Sequence, residues 1–152
     1  MGSEPPHHSS PISVLKHLQA LLVEDEPDIA ALVTFVLEAA GARVVLAVSA
    51  QAGLDQLTRF QPDVLICNLC LPDHNGFWLL HQLRAQGLSQ HRLPAIAVTS
   101  FTREVYSQDA LTAGFQAFLA KPLDPDDLIA AVLRVTAEAS SGLSSRKGTA
   151  QR

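Results

Sequence analysis

The sequence predicts one α/β domain built on a doubly wound, five-stranded parallel sheet, (βα)5. Three observations predict it. Five short apolar runs of four to seven residues recur along the chain with little apolar/polar alternation, as strands buried on both faces require. Amphipathic stretches of helical period separate them. Proline near helix starts (Pro27, Pro125) and glycine just past helix ends (Gly41, Gly114) punctuate the alternation as caps do. Strict strand–helix alternation implies parallel pairing with right-handed crossovers and helices on both faces.

Taken in order, "HLQALLV" gives the first strand and residues 27–39 the first helix. "ARVVLAV" and residues 50–59 form the second pair, "DVLIC" and residues 76–85 the third, "LPAIAVT" and residues 102–113 the fourth, and "AFLA" and residues 125–137 the fifth. The folded part is expected to span 17–139. Residues 1–16 and 140–152 are Ser-, Pro- and His-containing stretches without periodicity and are expected to be flexible tails.

Composition narrows the function. A chain of 152 residues with 47% apolar content buries one ordinary core. A net charge of −4 and the lack of any Lys/Arg stripe interleaved with aromatics argue against direct nucleic-acid binding. No apolar run approaches the roughly 20 residues of a membrane-spanning helix, and no basic start with an apolar core marks a signal peptide. A cytoplasmic protein without membrane contact is the expectation. His7 and His8, and the terminal Arg146, Lys147 and Arg152, are expected to be solvated tail residues. The Cys67/Cys70 spacing allows a redox or zinc reading, but Cys67 lies where a small hydrophobe belongs and no second Cys/His pair stands nearby.

In a sheet of this kind ligands bind at the carboxyl ends of the strands, near the switch in strand order. The residues there are "EDEPD" after the first strand, Asn68 after the third, Thr99 and Ser100 after the fourth, and "KPLD" after the fifth. Glu24 and Asp25 form the kind of hard-oxygen pair that holds Mg²⁺, whereas Asp28, a turn later, fits helix capping better. Lys121, before Pro122, would set an ammonium over the same pocket. Thr99 would add a hydroxyl.

The ordered set "LLVEDEPDIA", "PDVLICNLCLPDHNGFWLL", "PAIAVTS" and "AGFQAFLAKPLD" resembles the receiver domain of two-component response regulators over about residues 18–138. The resemblance implies a flavodoxin-like, CheY-like fold with strand order 2-1-3-4-5 and a signal-transduction role rather than an enzymatic one. It implies that Glu24 and Asp25 bind Mg²⁺ with the backbone carbonyl of Cys70, that Thr99 is the switch hydroxyl and Phe118 the switch aromatic, and that Lys121 contacts the phosphoryl group, with Pro122 structural. The implied partners are a histidine kinase or a downstream effector, and a homodimer face on the fourth helix, fifth strand and fifth helix. Tyr106, Phe115 and Leu128 are contact candidates there, with a place in the core as the alternative for each; Phe77 and Trp78 are read as packing.

The resemblance puts Asn68 where the family carries its phosphoacceptor aspartate. A carboxylate oxygen can attack phosphorus; an amide, with its nitrogen lone pair delocalised and no formal charge on oxygen, cannot do so usefully. Three acids against one lysine would leave a local charge of −2, and the amide leaves −1 from Glu24, Asp25 and Lys121. Mg²⁺ is therefore expected to bind weakly or not at all. Two origins fit the amide: a natural pseudo-receiver working through protein contacts, or a conventional phosphorelay receiver disabled by a laboratory Asp→Asn change. The unusual flanking Cys67 and Cys70 favour the first. An aspartate-based phosphatase would need a D-x-D pattern that "EDEP" lacks, and a flavin module would need a Ser/Thr/Gly-rich loop where "EDEPD" would repel phosphate.

Overall fold

The computed structural model describes residues 14–100 and 113–150, without the side chains of 142–150. Five strands, β1 (Gln19–Val23), β2 (Arg43–Ala47), β3 (Val64–Asn68), β4 (Ala95–Thr99) and β5 (Ala117–Ala120), alternate with four described helices: α1 (Pro27–Ala39), α2 (Ala50–Gln56), α3 (Gly76–Ala85) and α4 (Pro125–Ala150). Of the helix expected over 102–113, residues 102–112, with Tyr106, lie outside the described residues.

All four strand pairs are parallel, in the order β2-β1-β3-β4-β5. Because successive side chains in a strand point to opposite faces, the sheet divides the core in two. Ala20, Leu22, Val64, Ile66, Ile96 and Val98 pack beneath α1 and α4. Leu21, Val23, Leu65, Cys67, Ala95 and Ala97 face Leu79, Leu80 and Leu83 of α3 on the other side. The central strands β3 and β4 are buried along their whole length, which is why their sequences show no alternation.

Helices α1 and α3 occupy the ranges that the sequence predicts. Gly41, at φ 104°, ends α1 in the left-handed region that L side chains avoid. Helix α2 is shorter than expected. The amides of Leu57, Thr58 and Arg59 bond to carbonyls three residues back, and the Thr58 hydroxyl donates to the Asp55 carbonyl, so the chain tightens into turns.

Two expectations at the chain ends are corrected. Leu15, assigned to the N-terminal tail, is buried in the core and its amide donates to the Ala40 carbonyl at 2.8 Å. Helix α4 continues to Ala150 instead of giving way to an unpatterned tail at Ser140, there being no proline after Pro125 to interrupt it.

Candidate functional site

The strand order reverses direction between β1 and β3, and the carboxyl ends of these neighbours hold a buried polar cluster. Glu24 follows β1 with its amide bonded to the Ala47 carbonyl, which brings its side chain inward to 1% exposure. Asn68, the last residue of β3, is also buried. Its neighbourhood is crowded: a Cβ on Gly76 would stand 2.9 Å from the Asn68 carbonyl oxygen and 2.9 Å from a Leu69 methyl, so only glycine lets α3 begin this close to β3.

Every heteroatom of the Asn68 amide is engaged. Its Nδ2 donates to Glu24 Oε2 at 2.8 Å and to Asp25 Oδ1 at 3.3 Å, while its Oδ1 accepts from the Cys70 amide at 3.2 Å. Reversing the amide would set its oxygen against two carboxylates and its NH2 against an N–H, so the network fixes its orientation. Glu24 Oε2 also accepts from the Glu26 amide at 3.1 Å.

Lys121 supplies the cation. Its side chain is only 8% exposed, against the usual fate of lysine, and its Nζ lies 3.3 Å from Glu24 Oε1 and 3.1 Å from Glu26 Oε1. The Lys121 amide donates to the Thr99 carbonyl at 2.8 Å, tying the ends of β4 and β5 together, and the Lys121–Pro122 peptide bond is cis. Thr99 is fully buried at the end of β4, and Phe118 is half-buried against the cluster beneath α3.

Glu24, Asp25, Asn68 and Lys121 thus converge, with Thr99 joined through its backbone. Pro122 and the Cys70 side chain are exposed at the margin. Of the two readings open for Phe115 and Leu128, contact or core, both take the core, at 2% and 1% exposure. Phe77 meets Phe115 edge to face, and Trp78 stacks on His74 at 3.7 Å. Cys67 is a buried thiol outside any disulfide that donates to the Asn68 carbonyl at 3.2 Å; burial, and after it the charge of Glu24, pushes its pKa far above the ordinary range, which removes the thiolate a redox pair needs.

Two acids of this region escaped the sequence reading. Glu26 is the second carboxylate on Lys121. Asp73, in the β3–α3 loop, accepts from the Ala50 and Gln51 amides, both at 2.9 Å, and so holds the start of α2 against that loop. Slight desolvation acts upward on the Asp73 carboxyl, but amide donors from Gln51, Ala50 and His74 outweigh it and bring its pKa to about 2. The run "EDE" and the acid after Pro72 were the only signals for either role.

A parallel sheet in this order, with acids and a lysine gathered over its switch point, defines a flavodoxin-like α/β domain. The profile of the response regulator receiver domain matches residues 20–133, and the chain belongs to this family, the signal-receiving domain of two-component systems. It is 38% identical over 118 residues to an uncharacterized 14.6 kDa protein of Leptolyngbya boryana, covering 78% of this chain and 89% of that one. It is 33% identical over 137 residues to response regulator Rre1 of Synechocystis, covering 88% of this chain but 59% of Rre1, so it spans little more than half of that regulator. The crystal structure of a CheY-like receiver domain protein from Methanospirillum hungatei superposes with a TM-score of 0.73 at 27% identity, covering 82% of this chain and 98% of the other. Among the described residues no helix is long and apolar enough to cross a membrane.

Proposed function

We propose that this chain is a receiver domain that does not accept a phosphoryl group and signals through protein contacts. By the resemblance, Asn68 stands at the phosphoacceptor position. The observation that carries the reading is the Asn68 Nδ2 group aimed at Glu24 and Asp25, a donor where the family's chemistry needs a nucleophilic oxygen. A divalent cation fits these residues poorly. The Glu24 oxygens already accept from Lys121, Asn68 and the Glu26 amide, and the Asn68 Nδ2 donates to both of the carboxylates that would hold a cation. Mg²⁺ therefore binds weakly or not at all.

Asn68 does electrostatically part of what a cation does, relieving two adjacent carboxylates without carrying charge. The switch pair of the resemblance, Thr99 and Phe118, then answers to a bound partner, a histidine kinase or downstream effector, instead of to phosphorylation.

The test compares the protein with Asn68→Asp under acetyl phosphate and under Mg²⁺ with beryllofluoride, followed by intact mass and Trp78 fluorescence. The parent is expected to gain no phosphoryl group and to show no fluorescence change, while the variant responds. A phosphorylated parent would overturn the reading. A silent variant would show that the loss extends past Asn68 to the whole pocket.

A further inference from the structure

The receiver pocket lies at the carboxyl edge of the sheet, and a second polar hollow lies at the opposite, amino edge. A cavity of about 530 Å³ opens there between the turn before β1, the loop before β4 and the middle of α4. Its volume falls in the roughly 300–1,000 Å³ range of small-molecule sites. Lys16 and His17 line it from the turn, His91 and Arg92 from the loop, and Ser140 from α4. In a chain of net charge −4, its cations Lys16 and Arg92 stand against a single lining acid, Asp63.

The fold makes no use of these basic side chains. Among the described residues, Lys16, His17, His91 and Arg92 have no side-chain hydrogen bond or ion pair, whereas Lys121, Arg84 and Arg134 are all engaged. The backbone beneath them is fixed nonetheless. Arg84 donates to the carbonyls of Leu88 and Leu93 and so pins both ends of the loop that carries His91 and Arg92. The Leu18 amide closes the turn of Lys16 and His17 on the Leu15 carbonyl at 3.0 Å, and His17 takes a φ of 69° within it, the left-handed region that residues with a side chain adopt at some cost. Donors that are held on fixed backbone and left unpaired are what an anion site presents before its ligand arrives.

A smaller hollow of about 170 Å³ adjoins the first and shares Asp63 and Arg92 with it. Leu57, Phe60, Leu88 and Leu93 make it apolar, and Gln61 adds an amide. Asp63 stands at the junction. Its Oδ2 accepts from the Gln19 amide at 2.8 Å, which leaves Oδ1 for another donor. An aromatic hollow, a carboxylate and a set of cations therefore follow one another along this edge.

We propose that the amino edge binds a nucleoside polyphosphate, with the base against Phe60, a ribose hydroxyl donating to Asp63, and the phosphates among Arg92, Lys16 and His91. Each part of the ligand answers a feature that the others leave unexplained. A simple polyanion would leave the hollow empty and meet a repelling carboxylate at the junction, and an apolar ligand would leave the cations unpaired. A carboxylate that accepts from ribose is the arrangement dinucleotide sites use. The site lies across the sheet from Asn68, so it stands or falls apart from the phosphoacceptor reading.

The test titrates ATP, sodium triphosphate and adenosine into the protein at constant ionic strength in EDTA, so that no divalent cation joins a phosphate to Glu24 and Asp25. Amide NMR shifts locate the binding. They are expected to cluster around Lys16, Phe60, Asp63 and Arg92 and to saturate by about 1 mM ATP, with triphosphate and adenosine each at least about tenfold weaker. Arg92→Ala should weaken ATP by about tenfold. Phe60→Leu, which keeps most of the apolar volume but removes the ring, should weaken it by about threefold. Asp63→Asn should narrow the preference for ATP over triphosphate by about threefold, because the carboxylate that attracts the ribose repels the bare anion. Arg92 and Asp63 are exposed, and circular dichroism checks that each variant keeps its fold.

Equal binding of triphosphate and ATP would overturn the nucleotide assignment and leave a plain anion site. Equal binding of adenosine would overturn the role of the cations. The proposal also fails if the shifts centre on Glu24 and Lys121, if ATP does not saturate, or if Arg92→Ala binds ATP as the parent does.

Discussion

The two edges of the sheet each carry a polar cluster around one cation, and they are built on different principles. At the carboxyl edge, Lys121 is held by the side chains of Glu24 and Glu26, and Glu24 in turn by the side chain of Asn68. At the amino edge, Arg84 donates to the backbone carbonyls of Leu88, Leu93 and Gly114 at 2.9, 2.8 and 3.2 Å, and only weakly, at 3.5 Å, to the Gln116 side chain. Gln116 completes that cluster by accepting from the Ala95 amide and donating to the Gly114 carbonyl. Backbone acceptors cannot rotate away or be exchanged by substitution, so the lower cluster closes loops. Side-chain acceptors can do both.

A double-mutant cycle breaks or sharpens this contrast most directly. Lys121→Met leaves the buried Glu24 carboxylate without its cation and should cost about 3 kcal/mol. Arg84→Leu orphans several half-buried carbonyls and should cost a similar amount, about 3 kcal/mol. Only the first can be repaired by a second change. Adding Glu24→Gln to Lys121→Met should recover at least about half of the loss, whereas adding Gln116→Leu to Arg84→Leu should recover none. Urea unfolding measures all four. If Glu24→Gln repairs nothing, the upper network is not held by charge pairing and the distinction fails.

Next in size is Asn68→Asp. It replaces a donor to two acids by a third carboxylate within about 3 Å of them, and without divalent cation should destabilise by about 2 kcal/mol after screening. Saturating Mg²⁺ should restore that stability in the variant and leave the parent's unfolding midpoint unmoved, since a ligand stabilises only the state that binds it. A parent stabilised by Mg²⁺ to the same extent would mean that the amide does not displace the cation.

Much of this architecture was legible in the sequence because burial on both faces leaves a direct mark. The unalternating runs "VLICN" and "AIAVT" are wholly buried strands, and proline and glycine fixed both ends of α1. Leu15 escaped because a few apolar residues beside a polar stretch are too short a run to show a period. Glu26 escaped because its partner Lys121 is 95 residues away, and an acid at a helix start already has a sufficient local explanation in the dipole. Convergence of the strand ends was readable from topology alone. The assignment of roles within the pocket came from family resemblance, since nothing in local pattern distinguishes a phosphoacceptor position from any other polar strand end.

The smallest expected effect concerns Asp73, which belongs to the carboxyl edge yet behaves like the lower cluster, because its partners are the backbone amides of α2. Its folded pKa of about 2 lies below the ordinary 3.8, so its ionised form stabilises the fold at pH above that ordinary value, and the contribution disappears as pH falls through 3.8 toward 2. Asp73→Ala should therefore cost about 1 kcal/mol at pH 7, the usual worth of a helix cap, with Ser49 still capping Ala52. The gap between variant and parent should narrow between pH 4 and pH 2, the window set by those two values. Urea midpoints of both proteins across that range read it. A gap that stays constant with pH would mean that Asp73 holds the loop by shape rather than by charge. A gap that closes would make this carboxylate a structural clamp at the functional edge, linking the loop after Asn68 to α2 whether or not the pocket ever meets a phosphoryl group.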